Sequence, residues 1–154
     1  NVNPTTVTTN GVHTYVFSIP IPAETIKPGD VVEIRYSVAK ISGSSSVNPY
    51  AWLSNSAGAM TQAIQIGFLA GSPGNSKNLY KRSLIFENNT RFFSVISPAE
   101  SNFSDEVQTA GARAFTNMSV NLTNDLYLDF SVKNNGAGNY VLIDYAYIKV
   151  FRNM

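Results

Sequence analysis

The sequence predicts an all-β fold, an antiparallel two-sheet sandwich of jelly-roll type with about eight or nine strands. Three observations carry that expectation. Apolar residues recur with a period of two, as in Val32, Ile34, Tyr36 and Val38 against Val31, Glu33, Arg35, Ser37 and Ala39, which gives one strand a dry face and a wet face. Turn-forming clusters of Pro, Gly, Asn and Ser punctuate the chain at strand-length intervals, beginning with Lys27-Pro28-Gly29-Asp30. No long segment sustains the period of an amphipathic helix, and only Pro98-Ala99-Glu100 offers a first turn for a short one.

The elements follow in order. Residues 12–19 alternate with His13, Tyr15, Phe17 and Ile19 on one side, and Pro20-Ile21-Pro22 is expected to stop this strand because proline cannot donate to a ladder. Residues 31–41 form the next strand, entered from the Pro-Gly turn. Residues 50–53 make a short strand between Asn48-Pro49 and Ser54-Asn55-Ser56-Ala57-Gly58. Residues 61–69 carry Ile64, Ile66 and Phe68 in register and break at Gly71-Ser72-Pro73-Gly74-Asn75. Residues 79–86 and 91–96 read as a hairpin through Glu87-Asn88-Asn89-Thr90. Residues 98–111 lack any period and read as an extended loop. A moderate strand at 112–120 precedes a strong one marked by Leu126, Leu128, Phe130 and Val132. Residues 140–151 form the longest strand, with Tyr140, Leu142, Ala146, Ile148 and Val150 set against Val141, Ile143, Tyr145, Tyr147 and Phe151. Both faces are mostly apolar, which places it centrally or at a subunit contact.

A chain of 154 residues is the size of one sandwich domain over residues 1–154, with one core. Charged residues make up 14% and the net charge is +1, so no broad field exists to hold phosphate backbones or anionic lipid. Nucleic acid is therefore not an expected partner, and neither is a membrane: the apolar runs are far shorter than the roughly 18 residues a spanning helix needs. Amides and hydroxyls supply the polarity, as in Ser42-Gly43-Ser44-Ser45-Ser46. Such a surface suits neutral partners such as sugars, or copies of the same chain. There is no cysteine, which excludes a disulfide framework and any thiolate site. No signal-peptide pattern is present, and the first residue, Asn1, reads as the start of a processed product or a fragment. Asn-x-Ser/Thr triplets begin at Asn88, Asn102, Asn117 and Asn121, as an Asn- and Thr-rich chain produces by chance.

The residues do not assemble a catalytic constellation. His13 is the only histidine, so neither a Ser-His-Asp triad nor a histidine metal site is available from other positions. Asp125 and Asp129, four apart in a strand, stand roughly 13 Å from each other, outside the roughly 5 to 9.5 Å of glycosidase carboxylate pairs. Asp144, embedded in apolar sequence, calls for a partner such as Arg82, Arg91, Arg113 or Lys149, an ion pair across a subunit axis being one arrangement. The Gly-rich runs at residues 71–74 and 136–138 lack a following Lys-Ser/Thr, and no calcium loop is spelled out. No cofactor, no metal and no enzymatic activity are expected. Lys77, Lys81 and Arg82 form the one basic cluster, expected at a solvated strand edge where an acidic glycan or a neighbouring protein makes contact. Trp52, the only tryptophan, stands beside Tyr50, and an exposed pair would stack on the apolar face of a sugar ring. Its apolar flanks, Ala51 and Leu53, favour instead a place in the core.

The run from His13-Thr14-Tyr15-Val16-Phe17 through Ile21-Pro22-Ala23 and Gly29-Asp30 to Ile34, the segment Ala51-Trp52-Leu53-Ser54-Asn55-Ser56-Ala57-Gly58-Ala59, and the closing Asp144-Tyr145-Ala146-Tyr147-Ile148-Lys149-Val150-Phe151 resemble a family of phage virion domains. These sit at the tips of tail fibres, spikes and head fibres, and many are trimeric jelly rolls similar to the tumour necrosis factor fold. Ala51-Trp52 departs from the small aromatic or aliphatic strand common there. The resemblance implies a homotrimer on the virion surface, partnered by other virion proteins and by a host-surface glycan. On that view the ligand-binding residues are Tyr50, Trp52, Asn55, Tyr80 and Arg82, with Asn102 and Phe103 from the long loop. Two alternatives stand beside it: a capsid, head-fibre or decoration component with only virion-protein partners, and a carbohydrate-binding module of a secreted bacterial enzyme.

Overall fold

The computed structural model describes residues 5–7, 11–43, 46–65, 76–95, 103–104, 113–117, 120–134 and 139–152. Among them the fold is all-β, with no helix. The strands are β1 (Thr5–Val7), β2 (His13–Ile21), β3 (Val31–Ser42), β4 (Val47–Ser54), β5 (Gln62–Gln65), β6 (Ser76–Asn88), β7 (Arg91–Val95), β8 (Phe103–Ser104), β9 (Arg113–Asn117), β10 (Leu126–Asn134) and β11 (Asn139–Phe151). The count exceeds the expected one partly because β1 and β8, at three and two residues, are too short for a period to reveal.

Eight strands make nested antiparallel pairs: β1 with β11, β2 with β10, β3 with β6, and β4 with β5. A chain doubled back on itself makes these pairs, and wrapping the doubled ribbon brings β11 beside β3 and β10 beside β4. One sheet then has the order β2-β10-β4-β5 and the larger one the order β1-β11-β3-β6-β7-β9, with β8 added parallel to β6. The first four strands of the larger sheet and all of the smaller one carry the strand order of a jelly roll.

Alternation decides what fills the space between the sheets. Val32, Ile34, Tyr36 and Val38 of β3 are buried, as are Leu126, Leu128, Phe130 and Val132 of β10 and Val47, Ala51 and Leu53 of β4. Phe130 packs on Phe17 with ring centroids 4.8 Å apart and on Tyr36 at 4.9 Å, so it joins the two layers. The turn before β3 is of type II: Pro28 takes the second position, Gly29 the third with φ 90°, and the Asp30 amide donates to the Lys27 carbonyl at 3.0 Å. Asp30 then accepts from the Lys27 amide at 2.9 Å and from Arg152 at 2.6 Å.

Several expectations are corrected. Pro20 does not end β2, which runs to Ile21. Among the described residues β2 pairs only with β10, and an edge strand tolerates proline where the missing N–H would point away from its one neighbour. His13, Tyr15, Phe17 and Ile19 do not share a face. The register slips where Tyr15 lies opposite Ser131 and Phe17 opposite Phe130, so Val16 and Phe17 both pack on the core while Tyr15 is exposed. A second bulge at Asp144 divides β11. Before it Val141 and Ile143 face the core, and after it Ala146, Ile148 and Val150 do. The side chain of Asp144 lies outside the described residues.

Candidate functional site: the outer face of the four-stranded sheet

Strand pairing lays out the solvent side of the smaller sheet as rows across β2, β10 and β4. Lys133 stands between His13 and Asn48, Ser131 between Tyr15 and Tyr50, Asp129 between Ser18 and Trp52, and Tyr127 between Pro20 and Ser54. Ala51 and Leu53 point into the core at 0% and 1% exposure, so Trp52 between them points outward. That corrects the core placement: in a strand, apolar neighbours at i±1 put the central residue on the opposite face.

Tyr50 and Trp52, two residues apart on β4, stack at 5.9 Å with 28° between their planes. His13 meets both edge-on, at 4.5 Å from Tyr50 and 4.8 Å from Trp52. Both aromatic side chains are half-buried, an arrangement that leaves a shelf open to solvent and fixes its shape.

Two hydrogen-bond chains hold this face. The Trp52 indole N–H donates to Ser131 Oγ at 2.7 Å, and Ser131 Oγ lies 3.3 Å from His13 Nδ1. Tryptophan only donates, so the Ser131 hydroxyl is free to donate onward to a neutral His13. Burial, together with the nearby charge of Lys133, pushes the His13 pKa below its usual 6.5, in keeping with that tautomer. In the second chain Ser18 donates to Asp129 at 2.6 Å and Tyr15 stands 2.8 Å from Ser18. Asp129, fully buried, also accepts from the backbone amides of Gly58 and Met60, each at 3.0 Å. The β4–β5 loop is thereby folded back over the sheet, with Gly58 at φ 76° against the Tyr15 ring and Met60 at φ 47°. The Oδ1 of Asn48 is a buried acceptor with no partner among the described residues. It sits one row from Tyr50.

The remaining predicted site residues do not join this cluster. Arg82 is corrected outright: it is 1% exposed, in phase with the buried Leu84 and Phe86, and opposite Ile34. It points between the sheets, where no acidic glycan reaches it. Lys81 alone of the basic cluster is placed on the outer face of the larger sheet, paired to Glu33 at 3.3 Å; the side chain of Lys77 lies outside the described residues. Asn55 is exposed beyond the end of β4 and does structural work, its amide donating at 3.2 Å to the carbonyls of Asn121 and Asp125 while its Oδ1 accepts from the Asn121 amide at 3.1 Å. Tyr80 and Phe103 are placed by backbone only, Tyr80 in β6 and Phe103 in β8 opposite Leu79; their side chains, and all of Asn102, lie outside the described residues. Asp125, exposed, accepts from the Ala23 amide at 2.8 Å. Asn88 and Asn121 accept from both the amide and the hydroxyl of Thr90 and Thr123, so these two Asn-x-Thr triplets are turn motifs.

Sequence reasoning missed His13, Asn48, Asp129 and Ser131 as members of one surface. The parity of β10 was the available signal, because Asp129 and Ser131 alternate with Leu128, Phe130 and Val132. Among the described residues, no group of three or more His, Asp and Glu side chains gathers to hold a metal ion. No family model, curated protein or solved structure matches the chain.

Proposed function

We propose that this chain is a non-enzymatic recognition domain of a phage virion surface, which meets a neutral glycan on the outer face of its four-stranded sheet and associates with copies of itself through the other sheet. The stacked Tyr50–Trp52 pair carries the glycan reading. A pyranose ring has an apolar C–H face and a rim of hydroxyls; the shelf offers the first an aromatic surface and the second the Lys133 ammonium, which stands in the neighbouring row. The virion setting rests on the resemblance of residues 13–34, 51–59 and 144–151, and the jelly-roll strand order supports it.

Self-association is favoured by a different observation. On β11, Tyr145, Phe151 and Tyr140 are 48%, 42% and 47% exposed, and Ile85 of β6, one strand beyond β3 in the row of Phe151, is 42% exposed. Among the described residues only Asn139, Tyr140 and Val141 of β11 pair with β1. Exposed aromatics along a partly open strand are what a second copy covers.

A glycan array with the wild-type chain and Trp52→Ala tests the function. Binding that the substitution removes, with the fold retained by circular dichroism, supports the reading. Absence of any glycan binding, with Trp52 fluorescence responding only to another virion protein, would replace it with the capsid, head-fibre or decoration reading.

A further inference from the structure

A second recess lies at the end of the sandwich, away from the aromatic shelf. It is a cleft of about 250 Å³ between the β2–β3 loop, the β6–β7 turn and the loop before β10. It is lined by the buried Ile26 and Leu122 and by the exposed Pro28, Glu24, Lys27, Asn89 and Thr123. Each wall is fixed by hydrogen bonds. Asp30 and the Gly29 amide, which donates to the Phe86 carbonyl at 2.6 Å, hold the first. Asn88 holds the second through Thr90. Asn121 and Asn55 hold the third. The backbones of Glu24 and Lys27 and the Thr123 hydroxyl help to hold these walls, whereas among the described residues the Glu24 carboxylate, the Lys27 ammonium and the Asn89 side-chain amide have no partner. Glu24 also sits at φ 58°, a left-handed conformation that a non-glycine residue adopts at a cost and that clusters at functional sites.

We infer that this cleft binds a single sugar ring, as a site separate from the Tyr50–Trp52 shelf; the inference shares the ligand class of the proposed function and rests on that reading for nothing else. The volume lies below the roughly 300 Å³ at which pockets for drug-sized ligands begin, which suits one ring. Glu24 only accepts, Lys27 only donates and Asn89 does both, the range that adjacent hydroxyls need. Glu24 and Lys27 lie on one wall, three residues apart, so they suit neighbouring hydroxyls better than the opposed charges of a zwitterion.

Amide-resolved NMR titration of the whole chain with D-glucose, D-galactose and N-acetyl-D-glucosamine, and with glycine betaine as the zwitterion, tests it. The expected result is saturable shifts of the Glu24, Lys27, Asn89 and Thr123 amides with at least one sugar. These shifts should persist in Trp52→Ala and weaken roughly tenfold in Glu24→Gln, the loss of about one hydrogen bond to a charged group. Glu24→Gly relieves the backbone and keeps the fold, so loss of binding there reports the carboxylate and not unfolding. Shifts confined to the Trp52 indole, shifts with betaine alone, or none at the cleft would overturn the assignment; the first of these leaves the shelf reading intact.

Discussion

Ser131 is the residue on which the aromatic shelf turns, because its hydroxyl is the partner of the Trp52 indole N–H and stands beside His13 Nδ1. Ser131→Ala leaves the Trp52 indole N–H unpaired in a half-buried place, which costs about 1–3 kcal/mol. We expect a lower urea midpoint at unchanged slope, with a shifted Trp52 emission. His13 gives the same network a pH dependence. Its folded pKa lies below 6.5, so as pH falls through that value the unfolded chain takes up a proton that the folded chain refuses, and stability falls. Above about pH 7 both states are neutral there and the contribution is flat. Urea midpoints between pH 7.5 and 5.5 should decline for the wild type and decline less for His13→Gln; equal slopes would show that His13 is not held neutral. Glu33 has the acidic counterpart. Burial pushes its carboxyl up, but hydrogen bonds from Arg35 and Lys81 outweigh this and leave the pKa below 4.5. The stability it contributes is present above that value and lost as pH falls through the folded pKa, a lower window than that of His13.

At the scale of elements, Asp129 ties three of them together: β10, which carries it; β2, through Ser18; and the β4–β5 loop, through the amides of Gly58 and Met60. Asp129→Asn keeps the volume but turns an amide NH₂ toward a backbone donor, so the loop should release from the sheet. The expected cost is about 2–4 kcal/mol, because a buried charged acceptor is lost, and amide exchange should speed up across the loop while β3 stays protected. Gly29→Ala, at φ 90°, should destabilise by about 1 kcal/mol or more through strain in the type II turn. That turn was legible in the sequence because Pro-Gly admits few alternatives, and the faces of β3 and β10 were legible because nothing interrupts their period. The halves of β2 and β11 were not, since a single extra residue at Val16 or Asp144 reverses every later side chain without changing the composition. Trp52 and Arg82 could be read and were misassigned: parity with Ala51 and Leu53 puts one outside, and parity with Leu84 and Phe86 puts the other inside. The pairing of His13 with Trp52 was not legible at all, because it joins residues brought together only when β10 lies between β2 and β4.

For the whole molecule, the two sheets present different outer faces to the solvent, and under the proposed function this would separate recognition from assembly. The smaller sheet has a polar, hydrogen-bonded face with its aromatics locked in place. The larger has Tyr145 and Tyr147 in edge contact at 5.4 Å, Arg35 over Tyr147, and Lys149 over Phe151 at 4.6 Å, with the buried Ser37 Oγ unpartnered among the described residues. With a net charge of +1, no long-range repulsion keeps copies apart. A closed ring of copies would bury these aromatics while leaving the Tyr50–Trp52 shelf on the outside, which makes multivalent contact with a glycan surface possible from weak single sites. For the homotrimer that the resemblance to phage virion domains implies, light scattering on the eluting species should give three times the protomer mass of 16.8 kDa. Tyr145→Arg with Phe151→Glu should shift it toward the protomer without altering the circular dichroism of the sheets, and should weaken binding to a glycan-coated surface far more than to a soluble monovalent sugar. A wild-type chain that elutes at the protomer mass across micromolar concentrations would remove the assembly half of the reading and leave the shelf to act alone.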